Sequence, residues 1–224
     1  MPTRFALLDI DGTLLLSNDA HAEAWHRAFA ESGYDVDVDR LRRMIGMGGD
    51  KLIAGAVPGL SEDREPGAAI AKRHKALFRS DYLPRVRPAP GARELLERLR
   101  GDGFRLVVAT SAKGDELHAL LQAAHVDDLI DEATTSDDAK RSKPDPDIVR
   151  SALERVHAPA DASTLLGDTP YDIEAASKSG VRTVAVRCGG WNDDELAGAI
   201  AIYDDPADVL RNYDASPFGR AVAR

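Results

Sequence analysis

Phe5-Ala6-Leu7-Leu8-Asp9-Ile10-Asp11-Gly12-Thr13 is the stretch that decides the reading of this chain. A short apolar run breaks off at two acids, spaced i and i+2, followed by a glycine. Arg4–Leu8 therefore predicts a buried strand, and Asp11-Gly12 predicts a turn at its carboxyl end. The same pattern recurs outward along the chain. Arg105–Ala109 predicts a second strand ending in Thr110-Ser111, and Leu129–Thr134 a weaker third. Ser163–Leu166 predicts a fourth ending in Gly167-Asp168, Val181–Val186 a fifth, and Ile200–Tyr203 a sixth at an edge.

Helical periodicity fills the intervals. Ala92–Arg100, Asp115–Ala124, Pro146–Val156 and Tyr171–Ser179 carry apolar residues at helical spacing, the last closed by Gly180. Strands alternating with helices make βαβ units, and hence a parallel sheet with helices on both faces. One interval breaks this alternation. Ala20–Gly33, Asp39–Ile45, Lys51–Ala56 and Ala68–Leu83 read as helices around a glycine-rich turn, Gly46-Met47-Gly48-Gly49. That interval is too long and too structured for a loop. It reads as an inserted helical subdomain that leaves the sheet near Leu16 and returns near Arg85. The expected division is a discontinuous core of residues 1–16 and 86–224 and an insert of residues 17–85.

Composition narrows the class. The 224 residues are 43% hydrophobic and 30% charged, the balance of a globular protein of one domain with an insert. The formal charge of −9, from 38 acids and 29 bases, argues against a nucleic-acid partner. It leaves room for a small phosphorylated ligand held by a local base or a bound cation. Cys188 is the single cysteine, so no internal disulfide or cysteine zinc site can form, and it reads as an ordinary thiol. No stretch approaches about 18 apolar residues, and the apolar segment before Asp9 is too short for a signal peptide. The expectation is no membrane association and a cytoplasmic location; oligomeric state is left open.

In a parallel sheet, ligands bind at the carboxyl ends of the strands. Asp9 and Asp11 follow the first predicted strand, Thr110 and Ser111 the second, Asp168 and Asp172 the fourth, and Lys143-Pro144 precedes the Pro146 helix. Acids gathered at one sheet edge repel one another unless a cation binds or some are protonated. An oxygen-only set suits Mg²⁺. Each residue also has an ordinary alternative. Asp9 can be a solvated acid ending a strand, Asp11 a turn former, and Thr110 a helix cap. Asp168 and Asp172 can be a capping pair. Lys143 can be a surface lysine, with Lys140 and Arg141 as its competitors.

In order, strand-end placement and gaps, Asp9-Ile10-Asp11-Gly12-Thr13, Thr110, Lys143-Pro144 and Gly167-Asp168-Thr169-Pro170-Tyr171-Asp172 resemble the four motifs of the haloacid dehalogenase-like hydrolase superfamily. The resemblance covers nearly the whole chain. It implies an α/β fold with a Rossmann-like parallel sheet flanked by helices and an inserted all-helical cap. It also implies a Mg²⁺-dependent phosphatase acting on a small phosphorylated metabolite through an aspartyl-phosphate. Asp9 would be the nucleophile, and Asp11 the general acid and then the general base. Thr110, the backbone N–H of Ser111 at the start of the next helix, and Lys143 would hold the phosphate. Asp9, the backbone carbonyl of Asp11, Asp168 and Asp172 would hold the metal, with Asp172 acting through water or positioning Lys143.

The cap would set the substrate. His21 near the hinge, Trp25, and Gly48 and Gly49 of the glycine turn are the candidates, with His74 and Lys75 on the last cap helix. A phosphosugar mutase of the same superfamily is the nearest rival, since that branch resembles this chain around His21 and Trp25. It usually carries an arginine where this cap turn has Gly48-Gly49, and Glu-Asp where this chain has Gly167-Asp168. The dehalogenase branch lacks an acid at the position of Asp11. Phospho-acceptor switch modules are much shorter and lack a late Gly-Asp-x-x-x-Asp. The segment Trp191–Arg224 reads as a closing strand, a short helix and a frayed tail.

Overall fold

Six parallel strands lie side by side in the order β3-β2-β1-β4-β5-β6. They are β1 (Arg4–Leu8), β2 (Phe104–Ala109), β3 (Glu132–Thr134), β4 (Ser163–Gly167), β5 (Arg182–Val186) and β6 (Ala201–Tyr203). The structure is a computed structural model and describes residues 3–219. The chain builds outward from β1 to β3, then crosses back to lay β4 on the other side of β1. The strand order therefore reverses beside β1, and the carboxyl ends of β1 and β4 flank the crevice where such sheets bind ligands.

Both faces of the sheet are covered, as the near-continuous apolar runs require. Phe5 and Leu7 of β1 join Val107, Ala109 and Leu165 in one core cluster. That cluster packs against α7 (Asp147–Val156) and α8 (Pro170–Ser177) through Ile148, Val149, Ala152, Ala175 and Ala176. Ala6 and Leu8 point the other way, toward α5 (Ala92–Gly101), α6 (Gly114–Ala123) and α9 (Pro206–Arg211). The third strand is shorter than the apolar run suggests, because the Leu129 N–H turns back to the Val126 carbonyl.

The insert is helical throughout its described elements: α1 (Asn18–Glu31), α2 (Val38–Arg42), α3 (Gly49–Ala56) and α4 (Gly67–Leu77). The single helix expected over Ala68–Leu83 ends at Leu77. It widens into a π turn at Phe78–Tyr82 and tightens into a 3₁₀ turn at Leu83–Arg85, where Pro84 has no N–H to continue the ladder. The two connections between insert and sheet run side by side. The Leu16 N–H donates to the Arg87 carbonyl at 2.9 Å, and the Ala89 N–H to the Leu14 carbonyl at 2.9 Å. The closing strand and short helix of the C-terminal segment are present as β6 and α9; the frayed tail falls in residues outside those described. Among the described residues no helix is long and apolar enough to cross a membrane.

Candidate active site

Asp9, Thr110 and Asp168 are each the first residue beyond a strand, after Leu8, Ala109 and Gly167 respectively. The Asp9 N–H still donates to the Leu166 carbonyl at 3.0 Å, so the sheet holds its backbone and fixes its side chain at the edge. The chain then turns sharply: the N–H groups of Thr13, Leu14 and Leu15 all point back to the Ile10 carbonyl. Gly12 sits at φ +80° inside this turn, and a Cβ there would collide with the Asp168 carboxylate. Only glycine brings this backbone so close to that acid.

Lys143 is fully buried between two carboxylates. Its Nζ lies 2.5 Å from Asp9 Oδ1 and 2.7 Å from Asp172 Oδ1. Asp172 uses its other oxygen to accept the Thr169 N–H at 3.1 Å, while the Asp172 N–H donates to Thr169 Oγ1 at 3.1 Å. This reciprocal capping box fixes Asp172 at the start of α8. Thr169 is thus the helix cap, and Asp168, which the sequence offered as half of a capping pair, is free of that task. The competitors of Lys143 lie elsewhere: Lys140 is exposed, and Arg141 pairs with Asp145 and Asp147 at the surface.

Asp168 is fully buried, with Thr13 Oγ1 donating to one oxygen at 3.0 Å and Asn18 Nδ2 to the other at 2.9 Å. Carboxylate oxygens of Asp9, Asp168 and Asp172 lie within 4.8 Å of one another. Burial, above the partial relief from Lys143 and with the added repulsion of Asp172, pushes Asp9 up to about 7. Burial, Asp172 and Asp9 push Asp168 well above the usual carboxylate range. Burial alone would lower Lys143, but Asp172 and Asp9 outweigh it and hold the ammonium charged. Three buried carboxylates with one lysine leave excess negative charge. That oxygen-only donor set fits a small hard cation.

The carboxylate of Asp11 lies outside this group. It accepts Ser17 Oγ at 2.5 Å and faces His21 Nε2 at 3.1 Å. Burial works against its ionisation, yet His21 and Ser17 outweigh burial and hold its carboxyl below the usual range. The structure therefore brings Asp9, Lys143, Asp168 and Asp172 together and sets the Asp11 side chain beside them, toward the cap. Thr110 is buried and its Oγ1 accepts the Ala112 N–H at 3.1 Å. It caps no helix. Ser111 does not open the next helix as expected, since α6 begins three residues later, at Gly114, because Lys113 still holds an extended backbone. The Ser111 hydroxyl donates instead to the Gly46 carbonyl of the cap, at 3.0 Å.

A cavity of about 460 Å³ opens between these strand ends and the cap. Asp9, Asp11, Thr110 and Ser111 line its core side, and His21, Trp25, Gly48, Gly49, His74 and Lys75 its cap side. Trp25 is at once cap core and cavity wall: it is buried, and its ring stacks on His74 with centroids 3.8 Å apart. His21 stacks on Phe78 at 3.7 Å and places Nδ1 3.3 Å from His74 Nε2. Burial and the neighbouring His21 lower His74 well below the ordinary imidazole range, so it is neutral at pH 7. The Gly48 N–H donates to Ser142 Oγ at 3.0 Å, tying the glycine turn to the loop that carries Lys143.

Several participants escape the sequence reading. Ser17 and Asn18 sit at the start of α1, where such residues ordinarily cap a helix. Ser17 makes no side-chain cap bond and turns to Asp11 instead, and Asn18 turns to Asp168. Glu116 of α6 lines the cavity, with burial raising its carboxyl and one oxygen lacking any hydrogen-bond partner. Cys188 is half-buried beside the Gly12 carbonyl, and burial pushes its thiol up, away from reactivity.

This arrangement has close counterparts. The family model described as haloacid dehalogenase-like hydrolase matches residues 6–186. A phosphoglycolate phosphatase of Rhodospirillum rubrum is 32% identical over 91% of this chain and 88% of its own length. The crystal structure of a hydrolase from Pseudomonas syringae superposes with a TM-score of 0.87 at 29% identity, covering 95% of this chain and 98% of that one. A β-phosphoglucomutase from Clostridium difficile superposes with a TM-score of 0.82 at 16% identity, over 96% of this chain and 97% of that one. Phosphatases and mutases share the architecture, so the fold by itself does not separate them.

Proposed function

The chain belongs to the haloacid dehalogenase-like hydrolase family and is a phosphoric monoester hydrolase, and we propose that it hydrolyses a small phosphomonoester with Mg²⁺ through a phosphoryl group carried on Asp9. The observation that carries this reading is Lys143, buried between Asp9 and Asp172 where the sheet meets an open cavity. A lysine held charged in a dry site, against an acid at the first position beyond the central strand, is what an anionic phosphoryl group requires.

Asp9, Asp168 and the backbone carbonyl of Asp11 would hold Mg²⁺, with Asp172 acting through water. The metal supplies positive charge that offsets the phosphate and the crowded carboxylates. Asp9 attacks phosphorus, forming an Asp9 oxygen–phosphorus bond as the bond to the leaving oxygen breaks. Asp11, ionised beside Ser17 and His21 in the free site, takes up a solvent proton as the anionic phosphate binds, gives it to that leaving oxygen and then takes one from the water that attacks the phosphoryl group. Inorganic phosphate departs and Asp9 is regenerated. Thr110 and Ser111 border the phosphate, and Lys143 favours the ionised form of Asp9 and aims it. The cap of residues 17–85 covers the core of residues 1–16 and 86–224 and keeps water from the reacting centre.

The mutase reading is weaker on an observation of this cavity. A second phosphate calls for a bidentate cation, and no arginine lines the cavity among the described residues. Phosphate release from a panel of small phosphomonoesters, with Mg²⁺ and with chelator, tests the proposal. Wild type should turn over only with metal, and Asp9→Asn should lose the activity. An Asp9→Asn variant that still releases phosphate at the wild-type rate refutes the nucleophile.

A further inference from the structure

We propose that Glu116 sets the leaving-group specificity of this site: it admits a neutral, hydroxyl-bearing leaving group and rejects one carrying a second negative charge. The inference rests on the phosphatase reading above and names the substrate class of that same cavity.

The distal wall of the cavity, the part beyond Asp9 and Lys143, carries charges of both signs. Two of its lysines are already spent on acids, and Asp137 is held by a backbone amide. Lys75 of the cap pairs with Asp115, and Lys113 pairs with Glu62 at 3.4 Å. Asp137 accepts the Gly114 N–H at 2.9 Å. Glu116 stands in the same wall, forms no ion pair, and keeps Oε1 sealed from solvent with no hydrogen-bond partner among the described residues. The ionisable groups that act on it are His21, Lys75, Asp11 and Asp115, the two aspartates with the same sign. Lys75 is committed to Asp115, and His21 to Asp11. As a carboxylate, an unpaired acid in the wall of a partly closed cavity repels a second anion and accepts a hydroxyl proton; protonated, it still offers a second anion no countercharge. The stacked Trp25 and His74 rings add an apolar wall for the carbon skeleton. Among the described residues the rival is Lys72, an exposed lysine at the cavity lining with no carboxylate partner, which could take a carboxylate at the rim.

Two alkyl phosphates of like reactivity and one activated aryl phosphate decide between these. Turnover of glycerol phosphate, phosphoglycolate and p-nitrophenyl phosphate is measured for wild type, Glu116→Gln and Lys72→Ala, with circular dichroism to confirm the fold. In parallel, glycerol phosphate and phosphoglycolate are titrated calorimetrically, with Mg²⁺, into Asp9→Asn and into Asp9→Asn/Glu116→Gln. Wild-type kcat/KM should favour glycerol phosphate over phosphoglycolate by at least about tenfold. Glu116→Gln should erase most of that ratio by gaining on phosphoglycolate, and Lys72→Ala should leave it unchanged. Glu116→Ala reads the same ratio should the glutamine variant not fold. A wild-type preference for phosphoglycolate overturns the inference, as does a Glu116→Gln variant that slows both substrates equally. Failure to hydrolyse even p-nitrophenyl phosphate sinks the phosphatase reading. The calorimetric arm then decides the specificity alone: a preference for glycerol phosphate that Glu116→Gln removes upholds it, and equal binding overturns it.

Discussion

The two walls of the cavity are built by different means. On the core side, Asp9 and Thr110 line the cavity with Asp168 buried behind them; each occupies the first position past a strand, and neighbouring strands bond the backbone that carries them. On the cap side, His21, Trp25 and His74 reach the cavity from two helices and are held by ring stacking at 3.7 and 3.8 Å. Backbone ladders fix a position to fractions of an ångström, whereas stacked rings leave sliding freedom and can separate as a body. The core wall is therefore where chemistry can be placed and the cap wall is where recognition can be tuned. Substitutions on the core side should cost turnover and stability together, and those on the cap side, His21 apart because it also holds Asp11, should cost recognition alone.

Lys143→Ala should give the largest effect and the hardest test of that contrast. It leaves Asp9 and Asp172 buried without their shared cation. Removing one partner of a buried ion pair costs about 3–5 kcal/mol. Urea unfolding should show a loss of that order, and kcat should fall by about a thousandfold. A variant that keeps its stability would mean the acids are not obligately paired, and the core wall would lose its distinction.

The pH dependence of the same cluster comes next. Asp9 and Asp168 both have raised folded-state values, with Asp9 at about 7. A raised carboxyl binds its proton more tightly when folded. Its stabilisation is full below the ordinary carboxylate value and is lost as pH climbs through the folded one. With chelator present, the two carboxyls should lower the unfolding free energy by a few kcal/mol as pH rises from about 4 to about 8, opposed up to about 6.5 by His74, which is neutral when folded, so the fall is steepest above that. Lys143 is also raised, so it stays charged in both states across that window and adds no slope. Excess Mg²⁺ should flatten the curve, because a bound cation replaces the protons. A flat curve in chelator would show that the carboxylates are relieved by solvent.

How far this was legible from sequence follows the same division. A strand buried on both faces reads as an unbroken apolar run, so its end is marked by the first polar residue. Asp9, Thr110 and Asp168 can be located that way without any knowledge of the fold. Lys143 is legible through its pairing with Pro144 and its place before the Pro146 helix, but its burial is not, since the polar Arg141-Ser142-Lys143-Pro144 reads equally as an exposed loop. Ser17 and Asn18 are illegible for a further reason. Both are common helix-start residues, and their partners lie across a turn or on β4's far end, 150 residues away for Asn18 and Asp168. The domain architecture is readable, because a helical interval interrupts a βα alternation. The contacts across the cavity are not, because packing between helices brings together residues with no fixed spacing. His21 and His74 meet on neighbouring α1 and α4 although 53 positions separate them.

Asn18→Ala gives a smaller effect that sharpens the boundary of the core wall. Asn18 Nδ2 donates both to Asp168 and to the Gly189 carbonyl at 2.9 Å, orienting an acid without touching the cavity. A residue that orients a metal-binding carboxylate is worth about 10–100-fold in metal affinity. Mg²⁺ titration of activity should shift to higher concentration by that factor, with kcat recovered at saturation. A loss of kcat that Mg²⁺ does not restore would place Asn18 in the chemistry itself. Although Asn18 opens a cap helix, it should behave as part of the core wall.

Ser142→Ala should be the mildest, and it tests the seam between the walls. Ser142 Oγ accepts the Gly48 N–H at 3.0 Å and donates to Asp50, and the Ser142 N–H reaches Asp50 Oδ2 at 3.3 Å. The alanine variant keeps the backbone bond and the adjacent Lys51–Asp145 pair, so the cap turn stays near its place. Losing two side-chain hydrogen bonds at the rim costs on the order of 1 kcal/mol. That loss should fall on the closed arrangement and not on Lys143, whose carboxylate partners are untouched. KM should rise a few-fold, kcat should hold, and the chelator pH curve should superpose on wild type. Equal losses in kcat and kcat/KM would mean that the glycine turn positions Lys143 through its neighbour, and the cap wall would then share in the chemistry as well as the recognition.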